Sequence, residues 1–262
     1  MPPTRSELWF RKLGPPILSI IVAILIWQFV ADVVVQKAFI LPSFSATILA
    51  LCEIWEMTLI DAAVSLFHFG IGLALGILFG IPIGAAMGWF KTVERALDPI
   101  VEVIRPIPPI AWIPFAIIWF HLTHQAAGFV VFIGAFFPIL INTYSGFKGV
   151  RITLVEAAKV LGCTRARDLI RSVAFPSAMP SAATGIRVGM GVGWMSVVAA
   201  EMFAVSKAGL GFRLFQEFYH FHQMDRLLLY MLVIGLIALV LDRLFRYMVE
   251  GKMLIWRAGM VK

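Results

Sequence analysis

Charged residues are scarce in this chain. Asp, Glu, Lys and Arg make up 14% of its 262 residues, whereas hydrophobic residues make up 61%. Soluble globular domains carry a charged share of about 25%. One soluble core of this size could not bury so much apolar surface, so the composition excludes an ordinary soluble protein. It predicts that the lipid bilayer is the solvent for most of the chain.

The sequence also lacks the motifs of a nucleotide-driven or metal-dependent enzyme. It has no G-x-x-x-x-G-K-[ST] phosphate loop, because the only Gly-Lys pair, Gly251-Lys252, is followed by Met253. Its two cysteines, Cys52 and Cys163, belong to no clustered metal-ligand pattern. If ATP drives the activity of this chain, another subunit must bind the nucleotide.

Long stretches without Lys, Arg, Asp or Glu predict membrane-spanning helices, each of which needs roughly 20 mostly apolar residues. The stretch from Pro106 to Phe147 is long enough for two crossings, and the polar cluster at His121–Gln125 divides it at a hairpin. We therefore predict an all-α integral membrane protein with about six spans, near residues 15–35, 60–89, 97–120, 126–147, 178–203 and 226–248.

The basic residues indicate orientation rather than nucleic-acid binding. With six spans, sixteen of the 22 Lys and Arg residues fall on the side of both termini and only four on the other, with Arg105 and Arg187 inside spans. Cytoplasmic segments carry such an excess. We predict that both termini are cytoplasmic and that the N-terminal apolar run is an uncleaved first span.

Two regular patterns predict how the helices pack. Glycines recur at every fourth position from Gly72 to Gly88, and again at Gly185, Gly189 and Gly193. Small residues on one helical stripe let another helix approach closely in lipid. Packing is the simpler interpretation, and sliding of these smooth faces during transport is the functional one. Residues 44–57 are typical of an amphipathic helix on the outer surface.

The basic loop between the fourth and fifth spans, residues 148–177, has a helical pattern of its own. Thr153 and Glu156 fit a capping box that would start a short helix. Gly162 can take the left-handed geometry that ends a helix. A second helix is predicted over residues 164–174, ended by Pro176. The pattern predicts a compact pair of helices that projects from the membrane and docks in a groove of a cytoplasmic partner.

A few residues inside the predicted spans are candidates for lining a transport path. Charges in hydrocarbon are costly and usually face protein or water, and Arg105, Arg187 and Glu201 are of this kind. The arginines could attract an anion, or they could serve structural pairing or interfacial snorkelling; Glu102 is a same-helix partner for Arg105. The larger candidates are Trp112, Trp194 and Met195, for which helix packing is the alternative.

The loop motif resembles that of a known family. Glu156-Ala157-Ala158, with Gly162 six positions after the Glu and Pro176 fourteen after the Gly, is similar to the EAA loop of binding-protein-dependent ABC importer permeases. RPIPPIAWIPFAIIWF from Arg105, GIRVGMGVGWMSVVAAEM from Gly185 and AGLGF from Ala208 resemble its nitrate/sulfonate/taurine/bicarbonate branch. The resemblance covers roughly residues 60–250. His121 departs from the branch, which commonly has Gly at that position.

The resemblance implies a type I importer in the bacterial plasma (inner) membrane: a homodimer of permeases, two cytoplasmic ABC ATPase subunits and an extracytoplasmic substrate-binding protein. ATP and Mg would be bound by the ATPase subunits and no cofactor by this chain. It implies a permease core at residues 60–250, between an N-terminal segment at 1–59 and a cytoplasmic tail at 251–262. The residues expected to couple to the ATPase are Glu156, Ala157, Ala158, Lys159, Gly162, Arg165 and Pro176.

The solute is expected to be a small anion such as nitrate, a sulfonate, bicarbonate or an organic acid. Two other classes of function stay open from the residues alone. One is a secondary transporter driven by an ion gradient, which the lack of intramembrane carboxylate chains disfavours. The other is a membrane-embedded metalloenzyme using the five histidines, for which no H-E-x-x-H motif is present. Co-purification of an ATPase would distinguish an importer subunit from both.

Overall fold

The computed structural model describes residues 5–249, and for residues 5–13 it describes the backbone alone. The cytoplasmic tail expected at residues 251–262 lies outside this range. Within it the chain is helical and contains no β-strand. The chain divides into two compact units. One contains the residues up to Leu59 together with Leu214–Val233, and the other contains Ile60–Arg213 and the residues from Ile234 onward.

Ten α-helices follow one another in the described range, joined in places by π-helical or 3-10 turns. They are α1 (Arg5–Phe29), α2 (Phe44–Trp89), α3 (Lys91–Ile104), α4 (Ile113–Phe120), α5 (His124–Lys148), α6 (Ile152–Val160), α7 (Ala166–Leu169), α8 (Phe175–Met202), α9 (Leu210–Phe212) and α10 (Met224–Met248). The π-helical segments are Val30–Val35, Ile170–Ala174 and Arg213–Tyr219, and a 3-10 turn covers Pro109–Trp112.

Five helical segments are long and apolar enough to cross a bilayer: Gly14–Val35, Phe44–Trp89, His124–Lys148, Ala166–Met202 and Met224–Met248. A sixth span results if α3 is counted with the Pro109–Phe120 segment. The expectation of about six spans is therefore confirmed.

The third predicted span, near residues 97–120, falls on two helical parts separated by a break. Its two parts, Lys91–Ile104 and Pro109–Phe120, are bent by 89°. The prolines at 106, 108 and 109 account for the break, because each lacks an amide hydrogen and restricts the residue before it. The bend leaves Arg105 at the end of α3.

The helix expected at residues 44–57 forms the first part of α2, which is divided by a kink into two helical parts. Ile54 has non-helical angles, φ −122° and ψ 23°, so a local kink stands where the sequence suggested a boundary. The apolar pattern changes there, but no turn residues follow that would end the helix.

The glycine stripes pack on both sides of α5, as their spacing predicted. A Cβ on Gly80 would lie 2.9 Å from Ile139 Cγ2, and one on Gly88 would lie 2.6 Å from Phe147 Cβ. On α8, a Cβ on Gly189 would lie 2.9 Å from the carbonyl oxygen of Ala135. Real Cβ atoms do not approach so closely, so α5 can occupy its position only because both facing stripes lack side chains. Its own residues Val130, Val131, Ala135, Ile139 and Leu140 are fully buried or nearly so.

The smaller unit is held by polar and aromatic contacts of its own. Trp27 Nε1 donates to the carbonyl oxygen of Pro42 at 3.1 Å. The rings of Phe218 and Tyr230 meet edge to face with centroids 4.9 Å apart, and both side chains are buried. Arg226 pairs with Glu53 at 3.1 Å. The Arg226–Glu53 pair ties the start of α10 to the first part of α2.

Candidate functional site

The helix that carries the EAA motif, α6, ends in a left-handed turn at Gly162. The Cys163 amide donates to the carbonyl oxygen of Ala158, and the Gly162 amide donates to that of Lys159, each at 3.0 Å. This pair of bonds is the Schellman motif. Gly162 has φ +95°, as the sequence predicted for the residue that ends this helix. The corner is therefore a defined turn and not a loose connection.

The capping box expected at the start of α6 is not formed. The residue that caps the helix is Arg151, and no side chain makes a capping hydrogen bond there. Thr153 and Glu156 lie inside the helix, which begins at Ile152, two residues earlier than a Thr153 cap would require. Residues 152, 154 and 155 are all apolar. The apolar helical pattern therefore already includes residue 152, which precedes the predicted cap.

The second helix of the loop was expected to end before Pro176, and this was wrong. The α7 helix passes through the π-helical segment Ile170–Ala174 directly into α8, in which Pro176 stands in the first turn and Pro180 in the interior. Local π adjustments allow proline inside membrane helices by satisfying the freed backbone groups. The loop is thus continuous with a candidate span, Ala166–Met202.

The α6 helix has no buried residue, although much of it is apolar. The exposed fraction is 71% for Ile152, 88% for Val160 and 85% for the adjacent Leu161. Glu156, Ala157, Lys159 and Arg165 are exposed around them. Apolar patches rimmed by charges mark sites of protein–protein contact. Every predicted coupling residue other than Ala158 and Pro176, which are half-buried, is accessible to a partner.

A cavity of about 310 Å³ lies at the bend of the broken span. Arg105 lines one side of it and Asn142 of α5 another, and Phe137, Val188 and Val192 contribute apolar wall. Arg105 is exposed and forms no ion pair within the described range, with Glu102 or with any other residue. A cation in a largely apolar cavity can attract and desolvate a small anion.

Arg187, Trp194 and Met195 line a second cavity, of about 140 Å³, together with Asp242 of α10. Arg187 Nε donates to Asp242 Oδ1 at 2.7 Å, and Arg246 donates to the same carboxylate at 2.7 Å. Trp194 Nε1 donates to the carbonyl oxygen of Ile234 at 3.2 Å. The contacts of Arg187 and Trp194 join α8 to α10, whereas that of Arg246 lies within α10. The geometry matches the structural pairing that was the alternative for Arg187.

The other two path candidates lie elsewhere. Trp112 packs against Phe115 and Phe129, and its indole nitrogen is buried without a hydrogen-bond partner. Glu201 is fully buried and accepts a hydrogen bond of 2.9 Å from the Gly211 amide. It lines neither cavity described above. The structure therefore brings the path candidates to four separate places.

Sequence reasoning missed the buried polar residues of α2. Asp61, Ser65 and His68 are all fully buried. Their spacing of four and three residues places them on one helical face, which is the signal that could have identified them in an otherwise apolar helix. No group of three or more His, Cys, Asp or Glu side chains in the described part of the chain is arranged to hold a metal ion.

The comparison with known families agrees with this architecture. Residues 72–252 match the family of binding-protein-dependent transport system inner membrane components. The chain belongs to this family. The permease is thus a membrane-spanning subunit of an ATP-binding-cassette importer, and family membership indicates a transport subunit rather than an enzyme.

Curated relatives share this description. The permease is 43% identical to a protein named as an ABC transporter permease in Methanocaldococcus jannaschii, over 95% of this chain and 92% of the relative. It is 39% identical to the taurine transport system permease protein of Escherichia coli, over 69% and 64%. It is 33% identical to the nitrate import permease protein of Synechocystis, over 70% and 66%.

The fold of the permease is also found in a solved transporter. The MetNI methionine ABC transporter in inward-facing conformations contains a chain that superposes with a TM-score of 0.58. The match covers 74% of this chain and 94% of the other at 21% identity. At that identity the match shows the fold alone, and it confirms the expected type I importer fold.

Proposed function

We propose that two copies of the permease form a central path through the inner membrane, and that two separate ATPase subunits drive a small anion along it into the cytoplasm. An extracytoplasmic binding protein delivers the anion, and both termini of the permease are cytoplasmic. The chain itself binds no cofactor, and ATP and Mg are held by the ATPase subunits. The observation that carries this proposal is the α6 helix, which is largely apolar although none of its residues is buried.

The shape of α6 suits a rigid lever. Its corner is held by the two backbone hydrogen bonds at Gly162, and it is joined to a candidate span through the continuous α7 and α8 segments. A displacement of α6 by a partner would therefore be transmitted to α8. The exposed side chains of Ile152, Val160 and Leu161 would be removed from water when α6 enters a groove of the ATPase.

The choice of an anion rests on the Arg105 cavity and on the relatives. Arg105 lines this cavity without an ion pair in the described range, and the named relatives carry taurine, which bears a sulfonate group, and nitrate. An unpaired guanidinium offers bidentate hydrogen bonds to planar oxyanions.

The docking proposal is tested by one exposed apolar side chain. Leu161→Asp should abolish co-purification of the ATPase with the permease, because a charge would be placed in the apolar contact. Leu122→Asp is the matched control, since Leu122 is also exposed, at 48%, in a different loop. Retention of the ATPase by Leu161→Asp, or its loss from both variants alike, would contradict the proposal.

A further inference from the structure

A buried polar cluster holds the loop between α8 and α9, residues 203–209 together with the first turn of α9, which we call the glycine loop. Ser65 and His68 of α2 and Glu201 of α8 are completely buried. Ser65 Oγ donates to Glu201 Oε2 at 2.8 Å. His68 Nδ1 lies 2.8 Å from Glu201 Oε1. One carboxylate is therefore hydrogen-bonded to α2 through both of its oxygens.

The same groups bind the backbone of the glycine loop. The Gly211 amide donates to Glu201 Oε2, and the Leu210 amide donates to Ser65 Oγ, each at 2.9 Å. Gly209, at φ +128°, comes so close to Glu201 that a Cβ there would overlap its carboxylate. The position of the glycine loop thus depends on the charge and orientation of this carboxylate.

A second histidine connects the cluster to solvent. His68 Nε2 lies 2.7 Å from His124 Nδ1, at the start of α5. His124 is exposed and, together with Lys207 and Ser206 of the glycine loop, lines a recess of about 330 Å³. The chain of contacts therefore runs from an exposed imidazole, through a buried one, to the buried carboxylate.

The direction of each hydrogen bond follows from the groups involved. Glu201 Oε2 accepts from Ser65 Oγ and from the Gly211 amide, and we assign Oε1 as the acceptor from His68 Nδ1–H. A neutral imidazole has one N–H, so His68 Nε2 accepts from His124 Nδ1–H. The Nε2 atom of His124 then carries a lone pair and has no hydrogen-bond partner in the described range.

A proton taken from water at His124 Nε2 can cross this chain. As it binds, the Nδ1 proton of His124 moves to His68 Nε2, and His68 becomes an imidazolium beside Glu201. The buried carboxylate then has a counter-ion, and no bond to the glycine loop is broken. A buried charge without a partner is costly, and histidine is the side chain that changes charge between pH 5 and 8.

Other charges face the cluster. Asp61, one turn before Ser65, pairs with Arg213 at 2.8 Å, and its carboxylate also accepts from the Gly209 amide at 3.4 Å. The charges of Asp61 and Arg213 therefore neutralise each other. Lys207 faces the recess beside His124 and opposes proton uptake there. Among the described residues, the cationic partner of Glu201 is His68, and only once the histidine pair has gained a proton.

The geometry points to a proton-sensitive latch, in which His124 and His68 deliver a proton that locks the glycine loop onto Glu201. The hydrogen bonds that hold the glycine loop are most stable while the proton is bound, and they open more often as rising pH removes it. It requires neither a particular solute nor a particular orientation of the chain, so its test is independent of the proposed function.

Hydrogen exchange measures the latch directly, because the Leu210 and Gly211 amides donate the hydrogen bonds that hold the glycine loop. The permease is purified with its ATPase in nanodiscs, and exchange of the peptides covering residues 205–214 is followed by mass spectrometry from pH 6 to pH 8. After correction for intrinsic exchange, protection of these peptides should fall about threefold or more as the pH rises. Unchanged protection would overturn the proposal.

Two variants separate the latch from a general effect of pH. His124→Gln removes the proton entry at an exposed position and should abolish the pH dependence; His68→Gln should do the same. His220→Gln is the control, since His220 is exposed and its Nδ1 contacts only the carbonyl oxygen of Phe215; it should behave as the unmodified chain. Should His68→Gln not fold, His124→Gln decides alone, and a wild-type pH profile in that variant would overturn the latch.

Discussion

The backbone amide of Cys163 donates a 3.0 Å hydrogen bond to the carbonyl oxygen of Ala158, across the left-handed turn at Gly162. This bond makes the end of α6 a fixed corner. The apolar side chains directly before Gly162, Val160 and Leu161, are exposed at this corner. A backbone interaction thus presents the surface that we propose to enter the ATPase.

Gly162→Ala should weaken this corner without creating a steric clash. No atom lies within 4 Å of a Cβ at Gly162, but its φ of +95° disfavours any L side chain by about 1–2 kcal/mol. ATP-driven uptake in proteoliposomes should fall about fivefold or more. Gly235→Ala is the control, because Gly235 has equal space and ordinary helical angles. Equal uptake by the two variants would show that the turn is not needed.

Gly88→Ala should destabilise the helix pair formed by α2 and α5. The added Cβ would lie 2.6 Å from Phe147 Cβ and 2.7 Å from the carbonyl oxygen of Tyr144. Overpacking of this kind costs about 1–3 kcal/mol, which thermal unfolding in detergent should register as a lower midpoint. Gly191→Ala should leave the midpoint unchanged, since nothing lies within 4 Å of its Cβ. A midpoint lowered equally by both would contradict the close packing.

Arg105→Gln should reduce transport of an anion while leaving stability unchanged. Arg105 is exposed, lines the cavity at the bend and forms no ion pair in the described range. Loss of its charge should lower uptake of radiolabelled taurine or nitrate, whichever the complex carries, by about tenfold, or roughly 1.4 kcal/mol. Arg105→Lys should restore part of it. Full uptake by Arg105→Gln would remove this residue from the path.

Asp242→Asn should destabilise the permease more than Arg187→Gln. Asp242 accepts from both Arg187 and Arg246, each at 2.7 Å, so its replacement by Asn removes the negative charge that pairs with two arginines. Arg187→Gln leaves the contact with Arg246 intact. Because the side chains of this cluster are 32–44% exposed, solvent screens each pair and its contribution to the free energy of unfolding should be small. Thermal unfolding of both variants measures the order, and the reverse order would contradict the shared-acceptor geometry.

Local patterns predicted much of the fold. The glycine stripes of α2 and α8 could be predicted because helical periodicity alone places every fourth residue on one face. The Gly162 corner could be predicted because a left-handed turn has a strong residue preference. The break after Ile104 could also have been predicted from neighbouring residues, because Pro106, Pro108 and Pro109 follow it. It was missed because the span was assigned from the length of the apolar stretch alone.

Long-range pairings could not be predicted in this way. His68 lies 133 residues from Glu201, and no periodicity along the chain relates two positions so far apart. Glu201 was assigned to the transport path from its charge alone, whereas its contacts place it under the glycine loop. The same holds for Arg187, whose partner Asp242 lies on another helix 55 residues away.

The sequence by itself determined that the chain is a helical membrane protein, where its spans lie and which loop carries the EAA motif, because composition and short-range periodicity depend only on neighbouring residues. Only the tertiary structure decided which buried charges meet, which residue faces a cavity and which apolar helix is left without a cover. Those properties depend on distances between segments far apart in the chain, and the packing of α5 between two glycine-lined helices sets them.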